Sequence, residues 1–277
     1  MPDRKIIGIA LVKNEEHFVE WAIGNALEFC DEIIVLDNMS EDETFEKVSN
    51  LSRNSPKIRV SRIDDPNMSH RFIEQYAGTQ TWIFGVDGDE IYDPNGLSQI
   101  RRRIMSGEFD QYWEIKGHVL HATALELGRG WAQGYSTPAA KSMVKLYNFS
   151  ALISWKESKR ERLHGGSQVF RPGYSRWSSL ALQDKGDWDN CELRCLHLCF
   201  VPRTSLDPSN PLKRRNPAEN KASRRRNLLR GFKEYLFGLG RKERGGYKAE
   251  KYMRGSIIER DIRSFGTPRD LEAAPTI

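Results

Sequence analysis

Apolar residues in this chain fall into short runs separated by polar turns, with longer amphipathic stretches between them. Lys5–Val12 is a run that reads as a buried strand. Lys13-Asn14-Glu15-Glu16 interrupts it, after which Phe18, Trp21, Ala22, Ala26 and Phe29 recur at helical spacing. Asn14 is expected to cap that helix, with the two glutamates in its first turn, where the helix dipole favours them. Residues 32–36 form the next apolar run, and the polar stretch 37–44 opens a second helix carrying Phe45, Val48 and Leu51. Residues 58–63 predict a third strand, 68–77 a third helix and 82–86 a fourth strand rich in aromatic and β-branched residues. Alternating elements of these lengths predict an α/β fold with a mainly parallel sheet and helices on both faces.

Beyond Pro94, Leu97, Ile100 and Ile104 mark another helix, and residues 111–120 another strand. Residues 118–147 are dense in glycine and aromatics and predict irregular binding loops rather than regular structure. Residues 141–147 and 195–201 read as later strands, the second carrying His197. From Asp207 the composition shifts: Pro208, Pro211 and Pro217 punctuate a basic segment, and 221–239 reads as an amphipathic helix with Leu228, Leu229, Phe232, Leu236 and Leu239 on one side. The expected division is therefore a domain over 1–203 and a basic, partly helical extension over 204–277, ending in a loose terminus.

Charge sharpens that division. The 277 residues carry a formal charge of +5, but residues 213–254 hold 15 Lys or Arg against 4 Glu, so the remainder is acidic. Such a basic helix either rests on an anionic membrane surface or packs its leucine stripe against the domain. The apolar opening is too short for a signal peptide or a membrane span, which leads to a cytoplasmic expectation, with any membrane contact peripheral and through the tail. Four cysteines agree with a reducing compartment. Cys191, Cys195 and Cys199 are regularly spaced, but the spacing is unlike familiar zinc pairs, and a metal role for that trio is rejected.

The fourth strand ends in Asp87-Gly88-Asp89-Glu90. Three carboxylates around one glycine repel one another unless a cation or a donor-rich ligand sits among them, so the cluster points to a divalent metal with oxygen ligands. Gly88 is expected to let the backbone turn so that both aspartates face one point. Asn14, Asp37, Asn38 and Asp87 all follow predicted strands, and in parallel sheets the loops beyond the carboxyl ends gather into one site. An acidic turn that merely caps a helix is the plainer reading of the cluster taken alone.

At this point the residues resemble a family, the family-2 glycosyltransferases with a GT-A fold, of the kind that decorates bacterial surface glycans. The resemblance is carried by Ile9-Ala10-Leu11-Val12-Lys13-Asn14-Glu15-Glu16, by residues 32–44 with their DxxSxDxT turn, and by Asp87-Gly88-Asp89 at the place of a DxD motif. It covers roughly the first hundred residues. Arg129, Lys145-Leu146-Tyr147, His164 and His197 resemble later features more loosely. The resemblance implies a nucleotide-sugar donor, UDP- or GDP-linked, a Mn or Mg ion and transfer to a glycan or lipid-linked acceptor with inversion. It further implies Ala10, Val12, Asn14, Asp37, Asn38 and Asp87 in the donor pocket, Asp87 and Asp89 at the metal, and His197 completing the metal site, with His164 as competitor. The base that deprotonates the acceptor is expected among Asp184, Asp187 and Asp189, with Glu157 and Glu161 open and retention also open.

Rival readings remain. Aspartyl-phosphate phosphatases also use two aspartates one residue apart, but on their first strand and with a following Thr pattern. A nucleic-acid binder would use the basic tail, yet no RNA- or DNA-binding fingerprint accompanies it and the carboxylate edge would repel a polyanion. A non-catalytic protein that binds nucleotide sugars is the third.

Overall fold

A computed structural model of the protein describes residues 4–156, 161–207 and 251–268. Strands β1 (Lys5–Val12), β2 (Glu32–Asp37), β3 (Ile58–Arg62) and β4 (Thr81–Val86) stand where the apolar runs predict them, all parallel, in the order β4-β1-β2-β3. The fold is mixed α/β, with this parallel set as four strands of a seven-stranded sheet. Short β5 (Glu90–Tyr92), β6 (Glu114–Lys116), β7 (His118–Glu126), β8 (Trp131–Ser136) and β9 (Val144–Asn148) follow. Next come the hairpin β10 (Leu152–Lys156) and β11 (Ser167–Phe170), then β12 (Ser179–Ala181), β13 (Arg194–His197) and β14 (Ile257–Asp261). Antiparallel β9 joins β4 to β6, and β12 closes that edge of the large sheet.

Strand alternation divides β1 between two cores. Ile6, Ala10 and Val12 pack with residues of the helices α1 (Val19–Ala26), α2 (Thr44–Asn54) and α3 (Pro94–Met105). Ile7, Ile9 and Leu11 pack on the opposite face with Ile73, Trp113, Phe149 and Trp155. The helix expected at 68–77 is instead two 3-10 turns, Pro66–Phe72 and Glu74–Tyr76. Asp65 caps the first by accepting from the Asn67 amide, and tertiary contacts fix the tighter winding: the buried His70 ring lies between the carbonyl oxygens of Arg162 and Trp155.

The stretch 118–147, expected to be irregular, contains β7 and β8, an antiparallel pair. Its partners are remote in sequence, which is why local pattern misses it: the second sheet runs β14-β8-β7-β13-β5. Ile257–Asp261, assigned from sequence to the extension, is the edge strand of that sheet, and Phe265 is buried with Phe18, Trp21 and Trp188. The Trp21 indole donates to the Phe265 carbonyl at 2.8 Å. The predicted basic helix at 221–239 lies outside the described residues. No helix among the described residues is long and apolar enough to cross a membrane.

Candidate functional site

The loops beyond β1 and β2 are bolted to each other. Asn14 does not cap α1, which begins at Val19; it adopts a left-handed φ of 53° and its side-chain oxygen accepts from the Glu41 amide at 2.9 Å. Asparagine tolerates that region because its side chain bonds locally. The Glu15 amide donates to Thr44 Oγ1 at 2.7 Å, and Lys13 Nζ to the carbonyls of Asn38 and Met39. Glu15 and Glu16 are buried rather than on a helical first turn. Glu16 accepts from Thr204 Oγ1 at 2.8 Å and from the amides of Ser205 and Glu43, tying the segment after β13 to this edge.

Against the cost of burial, those donors hold the Glu16 carboxyl down to about 2 from an ordinary 4.5. A depressed carboxyl contributes stability above its unfolded pKa and loses it as the pH falls through the folded one. In urea unfolding at stepped pH, the gap in unfolding free energy between wild type and Glu16→Gln should therefore narrow as the pH is taken from 4.5 toward 2. A gap independent of pH would show that the charge is not what the contacts use.

A cavity of about 690 Å³ opens at the carboxyl ends of β1 and β4, lined among others by Leu11, Glu15, Asp87, Asp89, Glu90 and Lys145. Gly88 serves close approach rather than a left-handed turn: a Cβ there would lie 2.8 Å from Glu15 Cγ. Register in the second sheet sets a row across its strands, with His197 on β13 beside Glu90 on β5 and His121 on β7. The Leu198 amide donates to the Asp89 carbonyl at 2.8 Å, which holds the DGD turn against the end of β13.

Both aspartates meet fixed cations. Asp87 pairs with Lys145 and, at 2.5 Å, with Arg162; Asp89 pairs with Arg203, which also reaches Glu15 at 3.1 Å. Burial opposes ionisation of Asp87, but Arg162 and then Lys145 hold its carboxyl well below the usual range. Arg203 and His197 do the same for the more deeply buried Asp89. Glu90 carries the excess: burial pushes it up to about 8 against the pull of Lys145 at 2.9 Å, with Asp87 and Asp89 adding to the rise. The Nε–H groups of Arg162 and Arg203 are buried with no acceptor.

Two groups of the cavity are spaced for a shared divalent ion. Asp89 Oδ2 stands 3.5 Å from His197 Nε2, an oxygen and a nitrogen spaced as two ligands of one ion would be. His164 also lines the cavity. Of the other expected residues, Ala10 and Val12 are fully buried in the helix-side core, and by alternation Leu11 lines the cavity in their place. Asp37 is buried, accepting from the Ser40 amide and from Arg62 Nε at 2.9 Å; the Asn38 side chain donates to the Ile63 carbonyl. Asn14, Asp37 and Asn38 thus share the sheet edge but do not line the cavity.

The three base candidates do not gather there either. Asp187 is exposed and caps its own turn through the Asn190 amide, and Asp189 is exposed beside it. Asp184 borders an adjoining cavity of about 440 Å³ with Lys141, Lys251 and Arg254. Half-buried Glu161 lines the main cavity, while Glu157 lies outside the described residues. Arg129 is on the surface, paired with Glu126. Reasoning from sequence missed Arg162, Arg203 and His121, and saw Lys145 only as part of a loose likeness; the one local signal was a lysine inside the apolar strand Val144-Lys145-Leu146-Tyr147.

No protein-family model matches the chain, and no curated protein does. Among solved structures, the chain is similar to a mannosyltransferase from Pyrobaculum calidifontis, in complex with GDP-Man and Mn2+, at 12% identity and TM-score 0.41, over 88% of this chain and 68% of that one. It is similar to glucosyl-3-phosphoglycerate synthase from Mycobacterium tuberculosis, in complex with Mn2+, UDP and phosphoglyceric acid, at 20% identity and TM-score 0.32, over 42% and 43% of the two chains. TarS from S. aureus, in complex with UDP, matches at 20% identity and TM-score 0.32, over 46% of this chain and 37% of that one. The matches to the last two span under half of those proteins' length. Likenesses this distant carry no functional argument, which rests on the geometry above.

Proposed function

We propose that the protein is a glycosyltransferase that uses a nucleotide-sugar donor with a divalent ion, Mn or Mg, and transfers to a glycan or lipid-linked acceptor with inversion. The observation that carries this reading is one cavity at the carboxyl edge of a parallel sheet where Asp87, Asp89 and His197 meet Lys145, Arg162 and Arg203. Breaking the bond between a sugar and a nucleoside diphosphate leaves negative charge on the phosphates. Three buried or half-buried cations held in place are suited to receive it, because their orientation needs no solvent rearrangement.

Asp89 and His197 would hold the ion, with Asp87 at its margin; when bound, it supplies Lewis-acid stabilisation of the leaving diphosphate. Asp87 and Asp89, by pairing with Lys145, Arg162 and Arg203, hold those cations oriented at the cavity. Asn14, Asp37 and Asn38 form the edge assigned to the nucleoside; Asp37 lies beneath Arg62, so a base reaches it only when that guanidinium moves aside. Because Asp187 and Asp189 are outside the cavity, Glu161 becomes the candidate for deprotonating the acceptor.

The test is calorimetric. UDP or GDP should bind in the presence of Mn and lose most of its affinity in EDTA, and labelled sugar should transfer or hydrolyse only with metal present. Equal nucleotide affinity with and without metal would sink the metal assignment, and tight binding with neither transfer nor hydrolysis would favour a non-catalytic binder.

A further inference from the structure

The transferase reading leaves His121 and Cys199 without a task. His121 is fully buried on β7, and its Nε2 lies 2.9 Å from the Lys141 carbonyl oxygen. A carbonyl only accepts, so Nε2 carries the proton and Nδ1 presents a lone pair. Anchoring the remote nitrogen on a backbone carbonyl is how metal-bound histidines are oriented. That lone pair points at His197 Nδ1, 2.8 Å away. One nitrogen of each ring and the Cys199 sulfur lie within 4.8 Å of one another, and all three residues are buried. Tyr252 stacks on His121, with ring centroids 4.4 Å apart, and meets His197 edge-on, walling the cluster.

Two imidazoles and a thiolate are a borderline-soft donor set, suited to zinc and unlike the carboxylate oxygens of Asp87 and Asp89, which suit Mn or Mg. Three protein ligands leave one position of a tetrahedral ion open, unlike the four-ligand set of structural zinc sites. We propose that His121 Nδ1, His197 Nδ1 and Cys199 Sγ form a zinc site in the wall of the cavity, and that zinc there displaces the ion expected on Asp89 by taking His197 away from it.

The exclusion follows from the proton on one ring. His197 is shared between the two places: its Nδ1 lies 2.8 Å from His121 Nδ1, and its Nε2 lies 3.5 Å from Asp89 Oδ2. A neutral imidazole bound to zinc through Nδ1 carries its proton on Nε2, where the ring donates to Asp89 and cannot ligate a second ion. The Cys199 thiol gives up its proton to solvent when it binds zinc as a thiolate. His121 keeps its own on Nε2 throughout. The zinc site itself stands on the cluster; only the competition rests on the function proposed above.

Cobalt(II) titrated into the full chain reads the site without any activity. One cobalt per chain should give four-coordinate visible bands with a thiolate-to-cobalt charge-transfer band in the near ultraviolet, all lost when zinc is added. Cys199→Ser should lose the charge-transfer band while Cys191→Ser and Cys195→Ser keep it, and His121→Gln should weaken zinc binding at least about tenfold, with far-ultraviolet circular dichroism confirming folded variants. Manganese followed by paramagnetic resonance should be released by one equivalent of zinc in wild type but not in Cys199→Ser. No thiolate band in wild type, or a band that survives Cys199→Ser, overturns the site. Simultaneous binding of both ions overturns the competition. Failure of zinc-free protein to bind manganese overturns the metal-assisted transfer reading together with the competition, and the cobalt spectrum still decides the zinc site.

Discussion

Asp89→Asn should lower kcat/KM by about a thousandfold, the scale on which enzymes lose a group that stabilises developing charge. The substitution keeps shape and removes charge at the one carboxylate that faces both Arg203 and His197. A second effect must be separated from the first. Removing one partner of a buried pair leaves a cation less well compensated, which costs about 3–5 kcal/mol when nothing else remains. Arg203 keeps Glu15 at 3.1 Å, so the stability loss should fall below that range. The double variant Asp89→Asn with Arg203→Met should lose further stability, because buried Glu15 then loses its cation, and should recover none of the turnover. Normal turnover with an unchanged manganese requirement in the single variant would remove Asp89 from the ion site.

Gly96→Ala should be strongly destabilising. Gly96 lies in the first turns of α3, and a Cβ there would sit 1.9 Å from the carbonyl oxygen of Glu192 and 2.9 Å from its carbonyl carbon. Backbone cannot step aside as a side chain does, so either α3 or the approach to β13 must shift. That approach is also held by Asp93, which caps α3 through the Asn95 amide and pairs with Arg194. Overpacking of this kind costs about 3 kcal/mol or more, which corresponds to a fall in Tm of roughly 10 °C for a chain of this size. Because β13 carries His197, the residual folded protein should also bind metal more weakly. A melting temperature within a degree or two of wild type would mean that the helix and the loop are not in such close register in solution.

The parallel half of the fold was legible because β1, β2 and β4 are continuous apolar runs bounded by polar turns, while the edge strand β3 alternates apolar and polar residues. A strand buried on both faces must read that way whatever it pairs with. The same property placed Asp87, Asp89, Asp37 and Asn14 at one edge, since chain direction through a parallel sheet decides which loops meet. It did not decide which way side chains face within a strand. Ala10 and Val12 were assigned to the pocket, and alternation sends them to the helix-side core while Leu11 lines the cavity.

What the sequence by itself determined is thus the places of strands β1 to β4 along the chain, the acidic turn after β4 and the edge at which it lies. Each follows from local pattern and connectivity. Tertiary structure alone decided how that acid is balanced and what surrounds it. Lys145, Arg162 and Arg203 come from β9, from the segment after β10 and from beyond β13, and no spacing in the sequence relates them to Asp87 or Asp89. The second sheet depends equally on remote pairing: β13 is four residues long and takes its place through hydrogen bonds to β7 and β5, some 70 to 100 residues earlier. That pairing sets His121, His197 and Glu90 in one row. Charge compensation and strand register are pairwise properties of distant residues, so local periodicity carries no trace of them.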